Sequence, residues 1–184
     1  MVRKKCIAFL GMPGSGKTEA ISYAQEKYSC PKVYFGQITF DEMRKRKLEP
    51  TQANERLVRE ELRDTFGEDY YAQEIVRRIE GLGDVPLVLI ESLYSWTEYE
   101  VLKKRFGDQF CTVTIHAAPA VRYARLAQRK ERPLGQEEAE SRDIAQLKRL
   151  DQGMPIALSD RVIENDSTVD ILHERIDAVM RYML

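Results

Sequence analysis

Between the apolar run Lys5 to Leu10 (KCIAFL) and a stretch of helical period that begins at Lys17 stands Gly11-Met12-Pro13-Gly14-Ser15-Gly16-Lys17-Thr18, which fits GxxxxGK[ST] at every position. No other feature narrows the fold as far. Glycines at 11, 14 and 16 allow the backbone to turn so that successive N–H groups converge, and the following helix adds the partial positive charge of its N-terminus. Such a loop cradles phosphate: Lys17 is expected to reach the β- and γ-phosphates of a nucleotide, and Thr18 to present its hydroxyl to magnesium. A glycine-rich turn with an exposed lysine is the bland alternative, and the order strand, loop, helix weighs against it. The motif speaks for binding more directly than for turnover.

The rest of the chain repeats the alternation. Pro86 to Ile90 (PLVLI) is nearly continuously apolar, as a central parallel strand covered on both faces must be. Val33 to Phe35, Phe110 to His116 and Val162-Ile163 complete a set of five strands. Helical patterns run from Lys17 to the Cys30-Pro31 stop, over Phe40 to Leu48, Thr51 to Phe66 (closed by Gly67) and Asp69 to Ile79 (closed by Gly81). Ser95 and Glu98 make a capping-box pattern for a helix ending at Gly107. Pro119 opens a helix over Val121 to Lys130, Glu137 to Leu150 follows, and Val169, Leu172, Ile176, Val179 and Met180 form the stripe of a terminal helix. The expected fold is α/β: a three-layer α/β/α sandwich on a five-stranded parallel sheet with right-handed crossovers, one domain over 1–184.

Phosphoryl transfer needs more than the loop. Glu91, directly after Pro86 to Ile90, is the candidate carboxylate for magnesium or for the acceptor, because strand ends of an open α/β sheet converge on the ligand crevice; a local cap is its structural alternative. Arg122, Arg125, Arg129 and Arg132 recur at spacings that line one side of a helix, and such a row is tolerated when an anion neutralises it or when Glu131, Glu137, Glu138 and Glu140 pair with it. Arg129 leads that group. Arg142 and Asp143 face back from beyond the polar break Glu131-Arg132-Pro133-Leu134-Gly135, which reads as a lid. Asp41 to Lys47 reads as a solvated helix face or the lining of a substrate pocket. Tyr94 and Trp96 wall a base pocket or pack in the core, and His116 and His173 receive no role.

Composition sets the outer limits. With 29 basic and 30 acidic residues in 184, the net charge of −1 provides no field for nucleic acid or an anionic membrane. No apolar run is long enough to cross a bilayer, and Met1-Val2-Arg3-Lys4-Lys5 leads into a segment too short for a signal peptide, so the expected location is cytoplasmic. Three cysteines, Cys6, Cys30 and Cys111, without CxxC spacing read as buried small hydrophobes. The expected partner is a small molecule, taken by a monomer or a homodimer.

GMPGSGKT at 11–18, Gly36, RKRKLEPT at 44–51, ELR at 61–63, RLAQRKERPLGQEEAESRDIAQ at 125–146 and LSDRVIEN at 158–165 run nearly end to end. Through them the chain resembles the nucleoside-monophosphate-kinase-like branch of P-loop kinases, particularly dephospho-coenzyme A kinase and the archaeal adenylate-kinase-related proteins. The resemblance implies ATP and Mg2+ as cofactors, a loop binding phosphate through Gly11 to Thr18, and Lys17, Arg125 and Arg129 around a γ-phosphoryl group passing to dephospho-coenzyme A or a nucleoside monophosphate. It also implies an acceptor-binding helical region over about 37–82, a short lid over about 130–137, and an adenine-lining segment that contains Asn165. The chain departs from the pattern at three places. Gln37 stands where the family has an aspartate after its second strand, Phe40 where an arginine is expected, and Glu91-Ser92 where relatives read Asp-Gly. The donor side is intact and the acceptor side altered, which leaves Glu91 or Asp41 to handle the acceptor. An ATP-binding regulatory module or a slow ATPase without a small-molecule acceptor is the competing implication; an RNA-related NTPase is disfavoured by the charge balance.

Overall fold

Lys5–Leu10 (β1) buries both its faces because its alternating side chains serve two cores: Cys6, Ala8 and Leu10 on one side, Ile7 and Phe9 on the other. A computed structural model describes residues 4–130 and 133–184 of the chain. Met1, Val2 and Arg3 at the N-terminus, and Glu131 and Arg132 of the predicted lid and arginine row, lie outside the described residues.

The other strands are Lys32–Tyr34 (β2), Leu87–Glu91 (β3), Phe110–His116 (β4) and Arg161–Glu164 (β5). All pair in parallel, in the order β2-β3-β1-β4-β5. The register sets Phe9 beside Glu91, Glu91 beside Tyr34 and Leu10 beside Thr114, so these strand ends open on a single edge of the sheet. That edge is where an open α/β sheet binds its ligand.

Helices cover both faces. Lys17–Tyr28 (α1) and Val169–Met183 (α9) pack together over Ile7, Phe9, Leu89 and Ile115. Phe35–Lys45 (α2), Gln52–Phe66 (α3), Tyr70–Gly81 (α4) and Trp96–Phe106 (α5) cover the opposite face through residues such as Ile38, Val58, Ile75 and Leu102. Burying each such aliphatic side chain stabilises the fold by roughly 1.5–3 kcal/mol. Pro119–Ala127 (α6) and Gln136–Leu150 (α7) lean on one another around Leu126, Leu134 and Ala139, and Gly153–Ala157 (α8) joins α7 to β5. Among the described residues no helix is long and apolar enough to cross a membrane.

The expected alternation and parallel sheet are present, with three local differences. α2 begins at Phe35 rather than Phe40, because Phe35, Ile38, Thr39 and Met43 already form its buried face. Its Gly36 lies under the ring of Tyr34, which would come within 2.7 Å of a Cβ there, so the glycine serves a close approach inside the first turn. α6 stops at Ala127, short of Lys130, and α8 has no counterpart in the periodic reading, being five residues around Pro155. The capping box of α5 is formed: the Ser95 hydroxyl accepts from the Glu98 N–H at 3.1 Å, and the Glu98 carboxylate accepts from the N–H groups of Ser95 and Tyr94.

Candidate nucleotide-binding site

β1 runs out at Leu10, and the chain enters its turn through Gly11 (φ +137°), Gly14 (φ +81°) and Gly16 (φ +98°), backbone states that suit glycine. Between them the loop's carbonyls are taken up one after another. Gly11 O accepts from Gln152 Nε2 at 3.3 Å, Met12 O from Lys17 Nζ at 3.0 Å, Pro13 O from Arg122 Nη1 at 3.0 Å and Ser15 O from Asn165 Nδ2 at 2.8 Å. With its acceptors engaged by these side chains, the loop leads into the first turn of α1, whose N–H groups have no acceptor within the helix. Beneath it lies a cavity of about 70 Å³ lined in part by Gly11, Ser15, Thr114 and Arg122; the buried hydroxyls of Ser15 and Thr114 have no hydrogen-bond partner among the described residues.

Cations crowd the head of this loop. Burial first, then the charges of Arg129, Arg122 and Arg142, bring Lys17 down from the ordinary 10.5 to about 8, with Glu91 pulling the other way. Arg125 is half-buried, and its Nη1 is fully enclosed without a hydrogen-bond partner among the described residues. Arg129 lies exposed just beyond α6. An anion brought to this position would meet charges of opposite sign.

The arginine row of the sequence reading does not hold as one helix face. Arg122 points inward, 5 % exposed, and binds Asp143 with Nη2–Oδ2 at 2.6 Å and Nη1–Oδ1 at 3.1 Å. It serves the loop's carbonyl side rather than an anion. Asp143 is equally buried and belongs to that pair, while Arg142 is exposed.

Glu91 ends β3 on the face of Leu87 and Leu89, which is the face α1 covers, and Lys32 Nζ lies 2.7 Å from its carboxylate. Thr18 is exposed in the first turn of α1. Among the described residues no three His, Cys, Asp or Glu side chains converge on a metal position, so a cation here would rely on one hydroxyl, one carboxylate, water and a nucleotide's own oxygens.

Asp41 is otherwise engaged. Its carboxylate accepts from Gln37 Nε2 and Arg78 Nη2, each at 2.8 Å, with Arg44 at 3.5 Å. Partial burial pushes its pKa up, but these hydrogen bonds and charges outweigh it and leave the group below the ordinary value. Asn165 is buried with its side chain on the loop and its N–H on His116 O. Trp96 stacks on Tyr99, and Tyr94 donates its hydroxyl to Ser92 Oγ.

Two contributors escaped the sequence reading. Gln152 reaches the site through a distant contact that no local pattern marks, whereas Asp143, expected to face back from beyond the lid, is found paired with Arg122. Tyr34, read only as strand, half-buries its ring over Gly36 near Tyr94, Glu91, Glu55 and Arg59; burial is the chief cause of its raised pKa. A cavity of about 650 Å³ lies at the other edge of the sheet beside Lys4, Ile79 and Phe106, away from this chemistry.

A family model described as AAA domain matches residues 7–146. A UPF0200 protein of Methanothrix thermoacetophila is 35% identical over 181 residues, 96% of each chain, and one from Halobacterium salinarum is 33% identical over 94% of this chain and 90% of its own. Among solved structures, a gluconokinase from Sinorhizobium meliloti 1021 superposes with a TM-score of 0.62 at 13% identity, covering 100% of this chain and 95% of that one. A shikimate kinase from Bacteroides thetaiotaomicron gives 0.62 at 15%, covering 97% and 98%. These two likenesses concern the fold.

Proposed function

This chain belongs to the AAA domain family and to the UPF0200 family, and from that premise we propose a cytoplasmic small-molecule kinase that binds ATP with magnesium at Gly11 to Thr18. It moves the γ-phosphoryl group onto a nucleotide-like acceptor, dephospho-coenzyme A or a nucleoside monophosphate. The observation that carries this reading is the glycine turn between β1 and α1, with Lys17 opening the helix and the charges of Arg129 and Arg142 acting on it: a setting that a polyphosphate would complete.

The residues fit both ligands. Thr18 and Glu91 would hold magnesium, whose chemistry is to neutralise charge across the β- and γ-phosphates. Lys17 and Arg125 supply donors to the transferred group, with Arg129 joining from its exposed position just beyond α6. On the acceptor side both candidate carboxylates are engaged, Asp41 with Arg78 and Gln37 and Glu91 with Lys32; Glu91 would act there through a magnesium-bound water. The organisation proposed is one domain over 1–184, with about 37–82 receiving the acceptor and about 130–137 closing as a lid.

ADP release measured against a panel of nucleoside monophosphates and dephospho-coenzyme A tests the reading. One member should stimulate release, and Lys17→Ala should lower the stimulated rate by orders of magnitude in a folded protein. No stimulation by any member would remove the kinase reading. The engagement of Asp41 favours a second one, an ATP-binding regulatory module or slow ATPase, which predicts tight nucleotide binding with slow, acceptor-independent hydrolysis.

A further inference from the structure

Two side chains tie the carbonyl face of the glycine loop to the region of α7. Arg122 donates Nη1 to Pro13 O at 3.0 Å and Nε to Ala117 O at 3.2 Å, while both its terminal nitrogens hold the Asp143 carboxylate of α7. Tyr123 adds its hydroxyl to the same carboxylate at 3.1 Å. Gln152, 1 % exposed and just past α7, donates Nε2 to Gly11 O at 3.3 Å. Backbone contact reinforces these bonds, since a Cβ on Gly14 would stand 2.6 Å from Arg122 O.

A guanidinium this deep in the protein needs its counter-charge, and Asp143 supplies it from an element 21 residues further on. Arg122 can therefore hold Pro13 only while α7 is seated. We propose that Arg122 and Gln152 are positioning residues through which α7 keeps the loop in its phosphate-receiving shape, so that the seating of α7 and the filling of the cradle favour one another. Coupling of this kind is reciprocal: whatever displaces α7 weakens anion binding, and a bound anion holds α7 down. The identity of the anion rests on the reading above; the mechanical link does not.

Amide hydrogen exchange of the whole chain without nucleotide tests the link, with Asp143→Asn and Gln152→Leu compared with the parent. Peptides covering 11–18 should exchange about tenfold faster in both variants while those covering β3 keep their rates. In the same proteins, affinity for adenylyl imidodiphosphate with Mg2+ should fall about tenfold. Unchanged exchange at 11–18 in both variants overturns the proposal. Should Asp143→Asn loosen the entire chain, Gln152→Leu decides alone, because it strands no charge. A parent protein that ignores the ATP analogue yet shows faster exchange in the variants would sink the kinase reading and leave this link standing.

Discussion

Asn165 and Gly16 meet at the head of α1: while the Asn165 amide donates to Ser15 O at 2.8 Å, its nitrogen occupies the place a Cβ on residue 16 would need. Gly16 also adopts φ +98°. Gly16→Ala therefore meets a backbone penalty and a steric one, and should cost about 1–3 kcal/mol of stability together with most of the nucleotide affinity. Urea unfolding and calorimetry with Mg-ATP read the two losses. Asn165→Ala in the Gly16→Ala background should recover part of the stability, because it removes the obstructing amide.

Arg125 and Arg129 differ in burial, and their variants should differ in kind. Arg125 is half-buried, with Nη1 enclosed and without a partner among the described residues, so it loses little freedom on binding and Arg125→Ala should lower kcat by about a hundredfold. Arg129 is exposed and must be ordered on binding, so Arg129→Ala should raise KM for the nucleotide as well as lowering kcat. Steady-state kinetics with the stimulating acceptor separates the two patterns. Equal effects on kcat alone would remove the distinction.

What the sequence discloses of this site follows the range of the interactions. The turn from Gly11 to Thr18 is legible because its chemistry is contiguous, and β1 and β3 because a strand buried on both faces must be apolar throughout. The spacing of Arg122, Arg125 and Arg129 also looks local, yet it misleads: α6 stops at Ala127, and Arg122 turns inward to a partner on α7 that no periodicity reveals. Likewise α2 starts earlier than the period over Phe40 to Leu48 suggests, and Gly36 fits beneath the ring of Tyr34 in its first turn. Asp41 could be read from sequence as a free carboxylate only because Arg78, across on α4, is remote in the chain.

Away from the loop, Glu98 joins α5 to α3. Its carboxylate is 3 % exposed and receives Arg63 Nη2 at 3.3 Å in addition to the capping-box amides. Burial raises its pKa, and the amide bonds and Arg63 partly offset that rise. Arg63→Met should therefore cost about 3 kcal/mol at neutral pH, because it removes the charge that offsets the burial of the Glu98 carboxyl. A group whose folded pKa lies above its unfolded value loses stability as pH rises, so the deficit should shrink as the pH is lowered through the raised pKa. Glu98→Gln added to Arg63→Met should flatten that pH dependence, as followed by thermal unfolding.

Lys17 gives the site a pH signature of its own. In the free protein its pKa is about 8 against an ordinary 10.5, so the folded chain releases this proton more readily than the unfolded one. The cost of holding the charged lysine is therefore complete below pH 8 and relieved as pH climbs from about 8 to 10.5. An anionic polyphosphate beside Lys17 reverses the balance by raising the pKa in the complex. Binding above about pH 8 must then take up a proton, and affinity for Mg-ATP should fall by up to about tenfold per pH unit until the pKa of the complex is reached. Calorimetry in buffers of different ionisation enthalpy counts that proton directly. Lys17→Met should abolish the uptake and flatten the profile; an unchanged profile in that variant would assign the titration to another group.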